Sequence, residues 1–283
     1  METPPNPEDS QQEGEQENFE ESQLEGDQDS KFLFLCCQIG AENVCKALIA
    51  DRWPKFRLSF SRPGFLTYKV PKDLSPSFDL QNAFVRTYGF GVDHLEGPDP
   101  ESLADRLWGV VQSTPRRNIH VWQRDTHQVG QHSFEPFPSE LALSTAELIR
   151  SRRPSGVAAA KINRASRAGE RVLDCIIVEP DRWWIGEHWN NTTSHAWPGG
   201  VPPLKKLPTA ISRAYYKMYE SILWSRIPVR AGDQCVEIGS APGGAAQALL
   251  ELELKVVGID PAEMSPEIAE HEDFRHIRKR GRE

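Results

Sequence analysis

The stretch at residues 233–260 reads DQCVEIGSAPGGAAQALLELELKVVGID, and its pattern decides the fold of the C-terminal part of the chain. Residues 235–238 form a short apolar run of the kind that makes a buried strand. A tight turn with three glycines and one proline follows at 239–244. The pattern then predicts a helix over 245–254 and a second strand over 255–259. Together these elements predict a nucleoside-binding βαβ unit.

The glycine-rich turn and the acid after the second strand point to a ligand. A turn between strand and helix brings backbone amides and the positive helix end close to a bound group, and glycines are needed where side chains would block that approach. Asp260, sixteen residues beyond Gly244, is placed to accept hydrogen bonds from ribose hydroxyls. The turn does not read G-x-G-x-x-G or G-K-[ST], which argues against a nicotinamide or flavin enzyme and against a nucleoside triphosphatase. Glycines that merely pack the helix on the sheet are the alternative.

Length and composition favour two domains in these 283 residues. No apolar run approaches the ~18 residues of a membrane span, and no signal peptide opens the chain, so we expect a soluble, cytoplasmic protein without a membrane partner. The five cysteines show no C-x-x-C spacing, which favours buried free thiols over a metal site or disulfides.

The net charge of −8 is concentrated at the N-terminus. Residues 1–30 hold eleven acids and no lysine or arginine, which predicts a disordered acidic tail, with an autoinhibitory mimic of nucleic acid as the alternative. The other residues carry 33 basic and 30 acidic side chains, a balance that neither excludes nor requires a nucleic-acid partner.

Residues 31–186 alternate between strand and helix patterns and predict an α+β domain with helices on one face of a sheet. The strand patterns lie at 32–37, 56–60, 66–70, 84–88, 120–124 and 171–178, and the helical patterns at 41–50, 102–111 and 139–152. Four prolines and two glycines at 198–208 then predict a linker over 187–208. A helix over 209–226 opens the second domain, 209–283.

A basic stretch in the first domain has two interpretations. It consists of Arg150, Arg152, Arg153, Lys161, Arg164, Arg167 and Arg171. These side chains form either a solvated helix face with a loop, or a surface that contacts RNA phosphates. The tryptophans at 183–197 could stack on unpaired bases, although tryptophans at such density more often belong to a core.

Three motifs resemble the FtsJ (RrmJ)-type S-adenosylmethionine-dependent RNA 2′-O-methyltransferases. Residues 237–244, EIGSAPGG, resemble that family's first motif, D-L-G-A-x-P-G-G. Residues 260–264, DPAEM, resemble the acidic end of its ribose-binding strand, and 212–218, SRAYYKM, resemble its S-R-A-x-x-K-L helix. Three motifs in the family's order are far more specific than a glycine turn alone.

The resemblance implies a cofactor, a substrate and a set of site residues. S-adenosylmethionine would be the cofactor, and a ribose 2′-hydroxyl of RNA, expected to be ribosomal RNA, would accept the methyl group. The lysine of the helix motif, Lys217, would open a catalytic Lys-Asp-Lys-Glu tetrad. The residues carried over to cofactor binding are Glu237, Gly239, Ser240, Ala241, Pro242, Gly243, Gly244 and Asp260. No metal is implied.

The N-terminal half is similar, more loosely, to the RNA-binding half of the ribosomal large-subunit methyltransferase M group. The similar segments are 32–70, 83–91, 118–126 and 171–186. In that group a ferredoxin-like and THUMP-type region precedes the catalytic domain. We therefore expect an α/β protein in which a partial Rossmann-like methyltransferase domain, its first βαβ unit, follows an α+β RNA-binding domain.

The sequence departs from this family at its C-terminal end. The remaining Asp, Lys and Glu of the family's tetrad lie on later strands, and only two or three strands are predicted here. We therefore expect a truncated product or partial gene model that lacks activity alone, unless a partner chain or a missing C-terminal segment completes the sheet. A non-catalytic RNA-binding or regulatory protein with a vestigial methyltransferase fold is the alternative function.

Overall fold

The computed structural model describes residues 30–113, 118–128, 137–191 and 194–282. The predicted acidic tail lies outside these ranges, except for its last residue, Ser30, which begins the first strand. The described residues form two sheets, one mixed with eight strands and one parallel with three strands. No helix in these ranges is long and apolar enough to cross a membrane.

The larger sheet occupies the N-terminal part of the chain. Its strands are β1 (Ser30–Cys37), β2 (Arg57–Arg62), β3 (Phe65–Pro71), β4 (Val85–Glu96), β5 (Asn118–Gln123), β6 (Lys161–Ile162), β7 (Arg171–Glu179) and β8 (Arg182–Trp189). Their spatial order is β2-β3-β1-β4-β8-β7-β5-β6. Strand β5 pairs in parallel with β6 and β7, and the other neighbours pair antiparallel.

Three helices cover one face of this sheet: α1 (Glu42–Arg52), α2 (Pro100–Ser113) and α3 (Glu140–Ser151). Side chains alternate between the faces of a strand, so Leu33 and Leu35 of β1 pack with Ile49 of α1. By the same alternation, Leu173 of β7 packs with Leu107 of α2. Each such burial contributes roughly 1.5–3 kcal/mol. The predicted α+β arrangement with helices on one face is confirmed.

Two glycines allow the sheet to curl on its other face. The Phe34 ring lies over Gly89 and Gly186, where a Cβ on Gly89 would lie only 2.9 Å from the ring. The curl brings Phe60 of β2 and Trp184 of β8 to 5.8 Å between ring centroids, although three strands separate them in the sheet. This face is therefore concave and lined with aromatic rings.

The prediction of a linker over 187–208 is wrong in its first part. Strand β8 continues to Trp189, and two short 3-10 turns, Ser194–Ala196 and Pro198–Gly200, cover the concave face. Gly199 and Gly200 have positive φ angles of 59° and 72° and pack against Trp122 and Arg86 respectively, where an added Cβ would lie 3.1 Å and 2.7 Å from the nearest atom. The glycines and proline that resemble a linker are thus used for close packing.

A buried polar network ties this segment to the sheet. Asp174 accepts a hydrogen bond from Trp122 Nε1 at 3.0 Å and one from His188 Nδ1 at 2.5 Å. His188 Nε2 donates to the carbonyl oxygen of His195 at 3.0 Å. Burial alone would lower the pKa of His188, but the adjacent Asp174 carboxylate offsets this and raises it. The buried Asp174–His188 pair therefore holds the segment in place, and Trp122 belongs to the core.

The smaller sheet carries the predicted βαβ unit. Its strands are β9 (Gln234–Ile238), β10 (Lys255–Ile259) and β11 (Phe274–Ile277), in the parallel order β11-β10-β9. The helices of this unit are α4 (Ala214–Ser225), α5 (Gly244–Leu250) and α6 (Pro266–Ala269). Helix α5 connects β9 to β10, which confirms the predicted order of strand, turn, helix and strand.

Two predicted helix boundaries are corrected. Helix α5 ends at Leu250 rather than at residue 254, and α4 begins at Ala214 rather than at 209. The side chain of Gln247 accepts the N–H of Ile211 at 3.0 Å and donates to the carbonyl oxygen of Thr209 at 3.2 Å. These tertiary hydrogen bonds hold residues 209–211 in a non-helical conformation.

Helices α4 and α5 cover one face of the smaller sheet, where Leu249, Val256 and Phe274 share a core. On the other face of β9, Val236 and Ile238 are 62% and 69% exposed. Parallel sheets in proteins are usually covered on both faces. The described residues thus leave an apolar surface on one side of this sheet.

Candidate functional site

The turn between β9 and α5 contains two glycines with different structural roles. Gly239 has a φ angle of +84°, and a Cβ added there would meet nothing within 4 Å. Gly243 precedes α5 with a φ angle of +117°, and its Cβ would lie 2.8 Å from Ile268 Cγ1. Gly243 is therefore required by the protein's own packing, whereas the space beside Gly239 is open to a ligand.

Asp260 lies directly beside this turn. Its Oδ2 accepts the N–H of Ala241 at 3.1 Å, and its Oδ1 accepts the N–H of Ala262 at 2.8 Å. These two hydrogen bonds lower the pKa of the carboxyl group. The structure thus brings together the two ends of the predicted site, with Asp260 ionised between the glycine turn and the end of β10.

Ser240 contributes to the site only through its backbone. Its side chain is buried and donates to Met264 Sδ at 3.6 Å. The same hydroxyl lies over Gly258, where an added Cβ would be 2.6 Å from it. A side-chain contact between Ser240 and a cofactor is therefore excluded in this conformation. Further along the turn, Pro242 follows Ala241 through a cis peptide bond.

Glu237 supplies a second carboxylate beside Asp260. Burial and the negative charge of Asp260 raise the pKa of Glu237 to about 7. Its buried Oε2 has no hydrogen-bond partner among the described residues. A buried carboxylate without a partner is costly, because its lost hydration is not replaced. A cationic group bound at this position would supply the missing interaction.

Lys217 lies on the first turn of α4 and is exposed to solvent. The start of α4 is fixed against α5, because Ser212 packs against Gly244 so closely that an added Cβ would lie 3.1 Å from Ser212 Cβ. Tyr215 also donates its hydroxyl proton to Glu251 Oε2 at 2.6 Å. Lys217 is thus held on a helix that contacts the glycine turn, and its catalytic role stays a prediction.

Two contacts that fix α4 were missed by sequence reasoning. Gln247 holds residues 209–211, and Tyr215 binds Glu251. The contact of Ser212 with Gly244 differs from these two, because Ser212 lies within the motif that resembles the FtsJ helix. Gln247 and Glu251 carry no such signal, because their hydrogen bonds join residues 36 to 38 positions apart.

The basic stretch of the first domain is partly engaged in ion pairs. Arg150 binds Glu147, Arg152 binds Asp105, Arg164 binds Glu170 at 2.5 Å and Arg171 binds Glu187. Ion pairs at the protein surface exchange readily with other partners, because each contributes only about 0–1 kcal/mol. The structure is therefore compatible with a solvated face and with a phosphate-contacting surface, and the second interpretation stays a prediction.

Comparison with known proteins agrees with the motifs at this site. Residues 210–280 match the family model of the FtsJ-like methyltransferases. The FtsJ resemblance is thus confirmed for the part of the chain that carries the glycine turn, Asp260 and Lys217.

The curated relatives of this chain include proteins named ribosomal RNA large subunit methyltransferase M. The ribosomal RNA large subunit methyltransferase M of Xylella fastidiosa (strain M12) is 35% identical over 94 residues, which are 31% of this chain and 27% of that protein. The protein of this name from Shewanella sp. (strain ANA-3) is 23% identical over 271 residues, 89% of this chain and 72% of the relative. The first relative is thus matched over about a quarter of its length, and the second over both parts of the chain.

Similar solved structures include a possible methylase from Clostridium difficile 630, with 10% identity, a TM-score of 0.38 and coverage of 81% of this chain and 68% of that one. SMU.472, a methyltransferase complexed with SAH, has 10% identity and a TM-score of 0.36. The alignment covers 78% of this chain and 56% of the SMU.472 chain. The similarity of the chain to these structures is therefore distant.

Proposed function

We propose that this chain binds S-adenosylmethionine at the 239–244 turn and serves methyl transfer to a ribose 2′-hydroxyl of RNA, with ribosomal RNA as the expected substrate. One observation carries the proposal. Within the part of the chain that matches the FtsJ-like methyltransferases, an open glycine turn lies between two carboxylates, Glu237 and Asp260. The names of the curated relatives support a ribosomal RNA substrate.

The residues of the site fit the chemistry of this cofactor. A carboxylate oxygen accepts more than one hydrogen bond, so Asp260 can bind ribose hydroxyls while it holds the N–H groups of Ala241 and Ala262. The cofactor carries a positive sulfonium and an α-ammonium group, and Glu237 is a half-buried carboxylate that lacks a partner at Oε2. The open side of Gly239 leaves room for the bound molecule.

The bound cofactor would supply an activated methyl group on sulfur. The chain's own contribution is chiefly positioning, because in-line placement of the reacting atoms accounts for much of the barrier in such transfers. The ammonium group of Lys217 would stabilise negative charge that develops on the 2′-oxygen, or a neutral Lys217 would accept the hydroxyl proton. In either role, Lys217 must be held at a fixed distance from the turn, as the contacts of Ser212 with Gly244 provide.

The role of Lys217 is tested by mapping 2′-O-methyl groups in the ribosomal RNA of cells that carry either the wild-type gene or Lys217→Ala. We expect one ribose methylation to fall at least a hundredfold in Lys217→Ala, because loss of a group that assists proton transfer typically costs about 10²–10⁴ in rate. The exposed Lys205→Ala variant is the control and should retain full methylation.

Binding of S-adenosylhomocysteine by the purified Lys217→Ala chain should remain unchanged, since Lys217 is assigned to chemistry and not to cofactor binding. Unchanged methylation at every ribose of ribosomal RNA in Lys217→Ala cells would refute the catalytic assignment. The same result in cells that lack the gene would favour the alternative, a non-catalytic RNA-binding or regulatory protein.

The raised pKa of Glu237 predicts a pH-dependent affinity for the cofactor. The α-ammonium group, the cation that S-adenosylhomocysteine shares with the cofactor, favours the ionised carboxylate, so binding releases a proton when Glu237 is protonated in the free chain. Because the pKa is about 7, we expect affinity for S-adenosylhomocysteine to fall at least about fivefold between pH 7.5 and 5.5. Isothermal titration calorimetry at several pH values measures this change.

Glu237→Gln should bind more weakly at pH 7.5 and lose most of this pH dependence. The matched control is Glu263→Gln, because the Glu263 side chain is 82% exposed and lies three residues beyond Asp260. An identical pH profile in Glu237→Gln and wild type would show that Glu237 does not face the cofactor.

A further inference from the structure

A cavity of about 660 Å³ lies apart from the 239–244 turn, between β5, the start of α3 and the 198–203 segment. Its volume falls within the range of roughly 300–1,000 Å³ that is typical of ligand sites. Apolar side chains form most of the lining, and amide and hydroxyl groups interrupt it. Lining residues include Trp122, Gln123, Phe137, Leu143, Pro198 and Val201.

Both arginines of the cavity wall form ion pairs. Arg86 forms two hydrogen bonds of 2.9 Å with the carboxylate of Asp125. Arg124 binds Glu179 at 2.9 Å, and its Nε donates to a backbone carbonyl oxygen at 2.7 Å. Glu140, at the start of α3, adds a negative charge to the wall. These surroundings suit an uncharged planar group with polar edges better than a phosphate.

The cavity wall contacts the helix that carries Lys217. The ring of Phe137 meets the ring of Tyr216 edge-on, with centroids 5.3 Å apart. Arg86 also faces Glu220, where burial raises the pKa of the carboxyl group and the guanidinium partly offsets this effect. Lys217 lies between Tyr216 and Glu220 in the chain, so the cavity adjoins the same helix.

We propose that this cavity holds one unpaired base of the RNA strand whose ribose is presented to Lys217, an inference that rests on the proposed function. Unstacked bases offer flat apolar faces and polar edges, and proteins recognise them in aromatic-lined recesses. The cavity has an apolar lining with Gln123 and Thr126 as polar groups at its wall. Because its wall contacts α4, the cavity adjoins the helix that would meet the reacting ribose.

The test compares two substitutions of exposed leucines on helices. Leu143, 53% exposed, lines the cavity, whereas Leu48, 43% exposed, lies on α1 and outside it. Leu143→Trp should fill the cavity, and Leu48→Trp should leave it open. Because both positions are partly exposed, the full-length variants are expected to fold, which circular dichroism and thermal melting would check.

The measured quantity is the Kd, by fluorescence anisotropy, of a single-stranded nonaadenylate RNA and of a base-free ribose-phosphate nonamer. We expect the wild-type chain and Leu48→Trp to bind the RNA about tenfold more tightly than the base-free strand, and Leu143→Trp to lose most of this preference. A preference that is equal in all three proteins, or absent from the wild type, would overturn the cavity proposal.

Binding of S-adenosylhomocysteine by the same proteins separates this proposal from the proposed function. Leu143→Trp should retain wild-type affinity for this ligand, because Leu143 does not belong to the cofactor site. If the wild-type chain fails to bind it, the proposed function fails, and with it the link between the cavity and Lys217; whether the cavity holds a base is then decided by the preference for bases alone. Displacement of the RNA by peptides but not by nucleosides would also overturn the base assignment.

Discussion

Gly239→Ala should weaken binding of S-adenosylmethionine more than tenfold, whereas Gly232→Ala should leave it unchanged. Both glycines have a φ angle of +84°, and a Cβ at either position would meet nothing within 4 Å. The backbone cost of an L-residue in this conformation, about 1–2 kcal/mol, is therefore similar in the two variants. The two glycines differ in position, because Gly239 is the first residue of the glycine turn, whereas Gly232 lies in the turn before β9.

Thermal melting should show a similar loss of stability in both variants, and titration calorimetry should separate them. The added methyl group at residue 239 enters space that we assign to the cofactor, so the loss should appear in binding. Wild-type affinity in both variants would place the cofactor elsewhere. Equal weakening in both would attribute the effect to strain in the backbone.

Asp260→Ala should lower cofactor affinity about a hundredfold or more. The substitution removes the acceptor for the ribose hydroxyls and leaves the N–H groups of Ala241 and Ala262 without their carboxylate. Hydrogen bonds to charged groups contribute roughly 1.5–3 kcal/mol each, so the loss of two or more amounts to at least a hundredfold. Calorimetric titration with S-adenosylhomocysteine measures the change.

Asp233→Ala is the matched control for Asp260→Ala. The Asp233 carboxylate also accepts a backbone N–H, that of Arg230 at 2.9 Å, but it is exposed at the opposite end of β9. We expect Asp233→Ala to lower the stability of the fold and to leave the affinity for the cofactor unchanged. If Asp233→Ala weakens binding as much as Asp260→Ala, the ribose-binding role of Asp260 is wrong.

Local patterns in the sequence predicted much of the geometry around the 239–244 turn. The apolar runs at β9 and β10 fix two strands, and the glycines between them force a turn into α5. Because Asp260 directly follows β10, its position beside the turn comes from the parallel pairing of two neighbouring strands. Short-range patterns of this kind are visible in a single sequence because they depend on few residues.

The parts that the sequence did not predict depend on contacts between distant residues. Asp174 and His188 form a buried pair that holds the 194–200 segment, which composition alone identifies as part of a linker. Gln247 likewise decides where α4 begins, although it lies on α5. No local pattern encodes either interaction.

Other predictions from the sequence remain predictions. The THUMP-type identity of the first domain, the catalytic role of Lys217 and the specificity for the 2′-hydroxyl rest on the resemblance to the FtsJ-type family. The geometry supports a cofactor site more directly, because Glu237, Gly239 and Asp260 surround one open turn.

The central claim, a cofactor site at the 239–244 turn, is tested most directly by calorimetric titration of the 283-residue chain with S-adenosylhomocysteine. We predict saturable one-to-one binding with a Kd below about 100 µM, retained in Asp233→Ala and lost in Asp260→Ala. No binding by the wild-type chain, or equal binding by the wild type and Asp260→Ala, would contradict this account.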